Sequence, residues 1–145
     1  ITNALNFKNI PIYGNGLQIR DWLYVEDHCN AIIKILNDGK IGEVYNIGGN
    51  NEKTNIQVVQ EICKILDKIK PIQNNSKIKS YSELIKYVDD RPGHDKRYAI
   101  DSSKIKRDLN WSLSETFESG ILKTVKWYLD NKEWLENIKN GNYLN

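Results

Sequence analysis

Methionine is absent altogether, position 1 included, and cysteine is nearly so, with only Cys29 and Cys63. Two isolated thiols cannot build a disulfide framework, and they fit a reducing cytoplasm better than an oxidising compartment. His28 stands beside Cys29, but no second Cys or His lies at ligand spacing, so no zinc site is expected. No apolar run is long enough to span a bilayer, and the residues from Ile1 onward do not resemble a signal peptide. The net charge of +2 is too small to argue for nucleic acid or an anionic membrane as partner. An open reading frame normally begins with Met, so the chain is expected to be cut from a longer one on its N-terminal side.

What is present is ordinary for one soluble domain. The 145 residues are 39% hydrophobic and 28% charged, enough to bury a core and too apolar for wholesale disorder. Residues Ile1 to Phe7 read as the end of a helix. Ile10-Pro-Ile-Tyr-Gly14 reads as a short edge strand, because Pro11 cannot donate to a central ladder. Gly14-Asn-Gly16 is a turn, and Gln18 to Val25 is extended. A helix follows from Glu26 to Leu36, burying Ala31, Ile32 and Ile35, and Asn37-Asp-Gly39 ends it. Glu43 to Ile47 is a strand closed by Gly48-Gly49. Thr54 and Gln57 have capping-box spacing ahead of a helix from Asn55 to Lys68, with Ile56, Val59, Ile62, Cys63, Leu66 and Ile69 at helical intervals. Pro71 to Lys79 is a polar loop, and Tyr81 to Tyr87 a short helix or turn. Ser102 to Leu109 is helical, Trp111 belongs in the core, and Thr116 to Asn131 forms an amphipathic helix. The tail through Trp134 and Tyr143 is aromatic enough to dock. Strands and helices interleave without internal repeats, which makes the class α/β or α+β.

The densest chemistry lies in Arg91-Pro-Gly-His-Asp-Lys-Arg97. Pro92 fixes φ near −65° and Gly93 admits positive φ, so the chain bends between charged side chains. A guanidinium and an imidazole held together in a bend can cradle phosphate oxygens, and a solvated polar loop is the plain alternative. Arg20 lies in an aromatic-rich segment and Tyr13 beside a turn. Together these residues suggest a pocket for an anionic, ring-bearing ligand, unless Arg20 pairs with Asp21 or Glu26 and Tyr13 caps the core. Other motifs do not hold. Gly14-Asn-Gly-Leu-Gln-Ile19 begins like a dinucleotide fingerprint, but Ile19 stands in place of the third glycine and no helix follows. Tyr128 and Lys132 have Tyr-x-x-x-Lys spacing without a preceding strand or a partner Ser or Thr. No catalytic set, paired-carboxylate site or metal site is visible.

Larger motifs converge on a resemblance. Arg20-Asp-Trp-Leu-Tyr-Val-Glu-Asp27 resembles the Arg-Asp-aromatic segment of extended short-chain dehydrogenase/reductases acting on nucleotide sugars, and Tyr45-Asn-Ile-Gly-Gly49 is similar to a late strand of that superfamily. Asp90-Arg-Pro-Gly-His-Asp-Lys-Arg-Tyr-Ala-Ile-Asp101, with Tyr81-Ser-Glu-Leu-Ile85 before it, resembles the dTDP-glucose 4,6-dehydratases in particular. Asn51 to Ile56, Thr116 to Gly120 and Trp127-Tyr128 match the same family. One departure stands after Trp111, where the family often has a Trp-x-Pro turn and this chain has Ser112-Leu113.

The resemblance implies an α/β fold: the C-terminal, nucleotide-sugar-binding portion of an extended short-chain dehydrogenase/reductase, residues 1–145 forming one region. The segment around Asn46 is then a candidate edge strand of the Rossmann sheet, and the N-terminal Rossmann domain is expected to be missing. It implies substrate-binding roles for Pro11, Tyr13, Arg20, Asn55, Asp90, Arg91, Pro92, Gly93 and His94. Arg20, Arg91 and His94 would meet the pyrophosphate, Pro11 and Tyr13 the thymine, and Asn55 the nucleotide. The implied reaction is an NAD-dependent dehydration: hydride passes from C4 of the glucose to NAD, water leaves across C5 and C6, and the hydride returns to C6. The product is dTDP-4-keto-6-deoxyglucose, a precursor of deoxysugars such as rhamnose. Neither the catalytic residues nor the glycine-rich NAD loop is matched in this chain, which alone is expected to be inactive. A dTDP-sugar substrate, a homodimeric full-length protein and a cytoplasmic location complete the expectation, with no nucleic-acid or membrane partner. A non-catalytic nucleotide-diphosphate binding module, or an enzyme of UDP- or CDP-sugars, is the alternative.

Overall fold

The computed structural model describes residues 1–73 and 77–142. A first helical turn, α1 (Thr2–Leu5), leads into β1 (Ile10–Tyr13), and β2 (Ile19–Asp21) follows the Gly14–Gly16 turn. Helix α2 (Val25–Asp38) comes next, then β3 (Glu52–Thr54), α3 (Asn55–Ile69), a 3₁₀ turn (Tyr81–Leu84), β4 (Ile85–Val88), α4 (Ser103–Leu109), α5 (Phe117–Asp130) and α6 (Lys132–Lys139). The strands form two separate pairs. β1 runs parallel to β4, with Ile10 opposite Ile85 and Tyr13 opposite Val88; β2 runs antiparallel to β3, with Ile19 opposite Thr54 and Asp21 opposite Glu52.

Helix α3 is the best specified of these elements. The Thr54 side chain accepts from the Gln57 N–H, and the Gln57 side chain accepts from the Thr54 N–H, which satisfies two donors that a helix start would otherwise leave open. Its buried face, Cys63 and Leu66, joins Ala4, Tyr81, Leu84 and Val125 in one core. Burial pushes the Cys63 thiol up to about 11, so it stays protonated and inert near neutral pH. A second core gathers Ala31 of α2, Ile105 and Leu109 of α4, and Trp111, with Tyr45 and Ile47 packed against it. Asp27 joins α2 to the segment before α5. Its carboxylate, 1% exposed, accepts the Ser114 N–H at 2.9 Å, the Ser114 hydroxyl at 2.5 Å and the Glu115 N–H at 3.1 Å. Burial pushes that carboxyl upward, but the bonds from Ser114 and Glu115 outweigh it and hold the group below the usual carboxylate range.

Several expectations are corrected. Ile32 is 42% exposed instead of buried: α2 rests on α4 through the side that carries Ala31, and Ile32 is turned about 100° away. Glu43 to Ile47 pairs with no strand among the described residues, so its backbone is irregular although Tyr45 and Ile47 are anchored in the second core. The extended stretch from Gln18 shortens to β2, because Val25 already begins α2. The helical reading of Tyr81 to Tyr87 stops at Leu84, beyond which the chain pairs with β1 as β4. Trp134 meets Trp127 edge to face at 5.0 Å but remains 52% exposed, and Tyr143 lies outside the described residues.

Candidate functional site

The Gly14–Gly16 turn carries the chain from β1 to β2, and the turn, β2 and the start of α3 meet the Asp90–Tyr98 bend. Gly14 has φ +57°, and a Cβ there would stand 2.8 Å from the Asp90 carboxylate, so only glycine allows this approach. The Gly16 carbonyl accepts the Ile56 N–H and the Gln18 carbonyl the Asn55 N–H, both at 3.0 Å, which seats the first turn of α3 against the loop. At the bend, the Ile19 N–H donates to the Lys96 carbonyl at 2.8 Å, and the Tyr98 N–H donates to the Ile19 carbonyl at 3.1 Å. The bend is therefore laid along β2 as an incipient parallel strand.

Asp90 organises the near end. Its Oδ1 accepts the Arg91 N–H at 2.9 Å and lies 2.7 Å from His94 Nδ1, while Oδ2 accepts Gln18 Nε2 at 3.0 Å. These bonds, the one from His94 first, hold the Asp90 carboxyl below its usual range. An ionised carboxylate accepts only, so His94 donates through Nδ1 and its Nε2 edge is left for another partner. Gly93, with φ +70°, turns the chain so that His94 folds back onto Asp90, where the imidazole is 8% exposed.

Arg20 organises the far end. One terminal nitrogen donates to the Ile19 carbonyl at 2.7 Å, the other to the Asp95 carbonyl at 3.1 Å, and the guanidinium lies 4.5 Å from the centre of the Tyr98 ring. It pairs with neither Asp21 nor Glu26. Asp21 points to the opposite face of the strand and accepts the Gly49 and Asn51 N–H groups, each at 2.8 Å. The Tyr98 hydroxyl donates to Asp95, which raises its pKa first of all, and both Arg20 and Arg91 act on it in the opposite sense. The Arg20 guanidinium is the one that covers the phenol ring. Tyr13 is 50% exposed at the end of β1 and does not cap the core. Arg97 grips Glu52 of β3 through two bonds of 2.8 and 2.6 Å and tethers the bend from its other side.

All nine predicted residues therefore lie on the linked segments β1, β2, the start of α3 and the bend. Gln18 and Tyr98 were not singled out in the sequence, and Arg97 was noted there only as a charge of the bend. Gln18, a polar residue two positions before Arg20, carried a weak signal, and Tyr98 in the Lys-Arg-Tyr run a stronger one. Tyr128 and Lys132 fall on different helices, separated by the break at Asn131, so their spacing is not one helical face. A cleft of about 510 Å³ lined by Trp22, Tyr24, Phe117, Ile121 and Trp127 contains none of the nine. Among the described residues no group of three or more His, Cys, Asp or Glu side chains gathers as a metal would need, and no helix is long and apolar enough to cross a membrane.

The family model described as GDP-mannose 4,6 dehydratase matches residues 1–124. A dTDP-glucose 4,6-dehydratase of Shigella flexneri is 62% identical over 99% of this chain and 38% of its own length. A crystal structure of dTDP-glucose 4,6-dehydratase from Bacillus anthracis in complex with NAD superimposes with TM-score 0.77 at 50% identity, covering 92% of this chain and 38% of that one. The Streptomyces venezuelae dTDP-glucose 4,6-dehydratase with NAD and TYD bound gives TM-score 0.76 at 35% identity, with the same coverage. The chain thus spans about 40% of the length of the curated relatives it matches. NAD accompanies these solved relatives, but no strand, glycine-rich loop and helix suited to a dinucleotide follow one another among the described residues: Gly14–Gly16 opens into β2.

Proposed function

The chain belongs to the GDP-mannose 4,6 dehydratase family, and we propose that the protein acts as an NAD-dependent dTDP-glucose 4,6-dehydratase in which this region holds the dTDP moiety. The reaction converts dTDP-glucose to dTDP-4-keto-6-deoxyglucose and water, making the enzyme a lyase. The observation that carries the reading is the bend that holds Arg91 and His94 and lays its Asp95 carbonyl on the Arg20 guanidinium of β2. Arg guanidiniums and an imidazole edge offer planar donors to the oxygens of a diphosphate without a metal. Asp90 does not approach the anion as a ligand in this scheme. It aims His94 and the Arg91 backbone through the bonds described above. Pro11 and Tyr13 close the base end, the exposed phenol ring serving as an edge or face for thymine, and Asn55 opens α3 against Gln18, where a helix start favours negative charge. Pro92 and Gly93 supply the bend that brings these groups together. Every role assigned to these residues is binding and orientation.

The homodimer, the cytoplasmic location and the assignment of residues 1–145 to one substrate-binding region belong to the same proposal. The two free thiols, Cys29 and Cys63, agree with a reducing compartment. In the intact protein, Arg91→Ala and His94→Ala should each weaken dTDP-glucose binding by about tenfold, in line with the loss of a charge-assisted bond. Unchanged affinity in both variants removes the assignment. Turnover of dTDP-, UDP- and CDP-glucose side by side then decides the base.

A further inference from the structure

We infer that Tyr98, held by Asp95, is the positioning residue that fixes the Arg20 guanidinium for an incoming nucleoside diphosphate; this rests on the reading above and adds a residue to it. An unrestrained Arg side chain samples many rotamers, and ordering it on binding opposes affinity. Here the order exists beforehand. Carbonyls of Ile19 and Asp95 take one N–H from each terminal nitrogen, and the Tyr98 ring covers one face of the guanidinium at 4.5 Å. Of five N–H donors, these bonds use two, which leaves three to meet an anion. The ring is tethered by the bond from its hydroxyl to Asp95, and the backbone beneath it by the bond from the Tyr98 N–H to the Ile19 carbonyl. Flat, weakly hydrated guanidinium stacks well on an aromatic face, whereas a diphosphate is drawn to the edge, so the two partners do not compete. The Asp95 carboxylate has no other assigned role here, and this arrangement gives it one.

The test is a double-mutant cycle on the intact protein, with dTDP as the titrant in calorimetry. Tyr98→Ala and Tyr98→Leu should each weaken dTDP about fivefold, and Tyr98→Phe, which keeps the ring face but loses the bond to Asp95, should weaken it by about twofold, between those variants and wild type. The decisive result lies in the Arg20→Ala background, where removing the ring should change affinity hardly at all. Equal losses in the two backgrounds would overturn the inference, since Tyr98 would then act on the ligand or the loop independently of Arg20. A Tyr98→Leu variant that binds as well as Tyr98→Phe would overturn it too, since any apolar cover would then suffice. Should Arg20→Ala leave dTDP affinity intact, the site assignment itself falls and takes this inference with it. Melting curves on each variant separate a loss of folded protein from a loss of affinity.

Discussion

Helices α2 and α3 are nearly equal in length, 14 and 15 residues, and both are amphipathic, yet only α3 closes its apolar face inside the protein. α3 lies between the 3₁₀ turn, α5 and α1, and Leu66 is fully buried among them. α2 meets α4 and Trp111 along the side of Ala31 and leaves Ile33 at 55% and Leu36 at 78% exposure, continuous along the chain with Ile41 and Val44. The two starts differ as well: α3 has a capping box, while Tyr24 gives α2 no side-chain cap. Periodicity specifies that a helix forms and which side is apolar. It does not specify what lies opposite that side. Burial is a property of pairs of elements, and α2 has a partner on one side only among the described residues.

The largest effect that separates the regions should come from Leu66→Ala. Removing a fully buried side chain leaves a cavity whose walls relax only partly, so urea unfolding should show a loss of about 2–5 kcal/mol. A loss under about 1 kcal/mol would mean that the α3 core is looser than its burial suggests. Asp27→Asn should come next, at about 2 kcal/mol, because a buried ionised acceptor of three bonds becomes a neutral one with a donor of its own to satisfy. The sign of its pH dependence is fixed. The folded carboxyl titrates below the unfolded value, so the stabilisation is present at neutral pH, begins to fall near the ordinary carboxylate range and is gone below the folded value. The gap between wild type and Asp27→Asn should therefore narrow as pH drops below about 4, and a gap that stays constant into acid would contradict the ionised role. Thr54→Ala follows at about 1 kcal/mol, the usual worth of an N-cap, read from the same unfolding curves.

Much of the site was legible because its parts are local. Pro92-Gly93 makes a bend wherever it stands, two charged groups flank it, and the residues that the resemblance implies lie on β1, β2, the start of α3 and that bend. The chemistry of Asp90 was partly legible, as an acid beside a basic cluster. Its bond to Gln18, 72 residues away in sequence, was not. Nor was the Tyr98–Arg20 contact, which exists only because the bend aligns with β2. In the fold, α3, α5 and the Gly14–Gly16 turn followed from capping residues and period. The strand at Glu43 to Ile47 did not form, because strand character needs a neighbour to bond with and composition supplies none. The exposure of Ile32 escapes the periodicity for the same reason.

The smallest effect is the most informative about α2. Leu36→Lys in the 145-residue chain should change stability by no more than about 0.5 kcal/mol, since the side chain is 78% exposed and lysine is an equally good helix former. Leu66→Lys would instead bury an unpaired charge, so the pair of substitutions measures the difference between the helices directly. A cost of about 2 kcal/mol or more at Leu36 would mean that the face is covered in solution. Dilution then identifies the cover. If a second copy supplies it, the cost shrinks as the protein concentration falls, because the wild type loses the association that the lysine had already removed. A cost independent of concentration points instead to a segment of the same chain folding over Ile33 and Leu36, an arrangement in which α2 and α3 no longer differ.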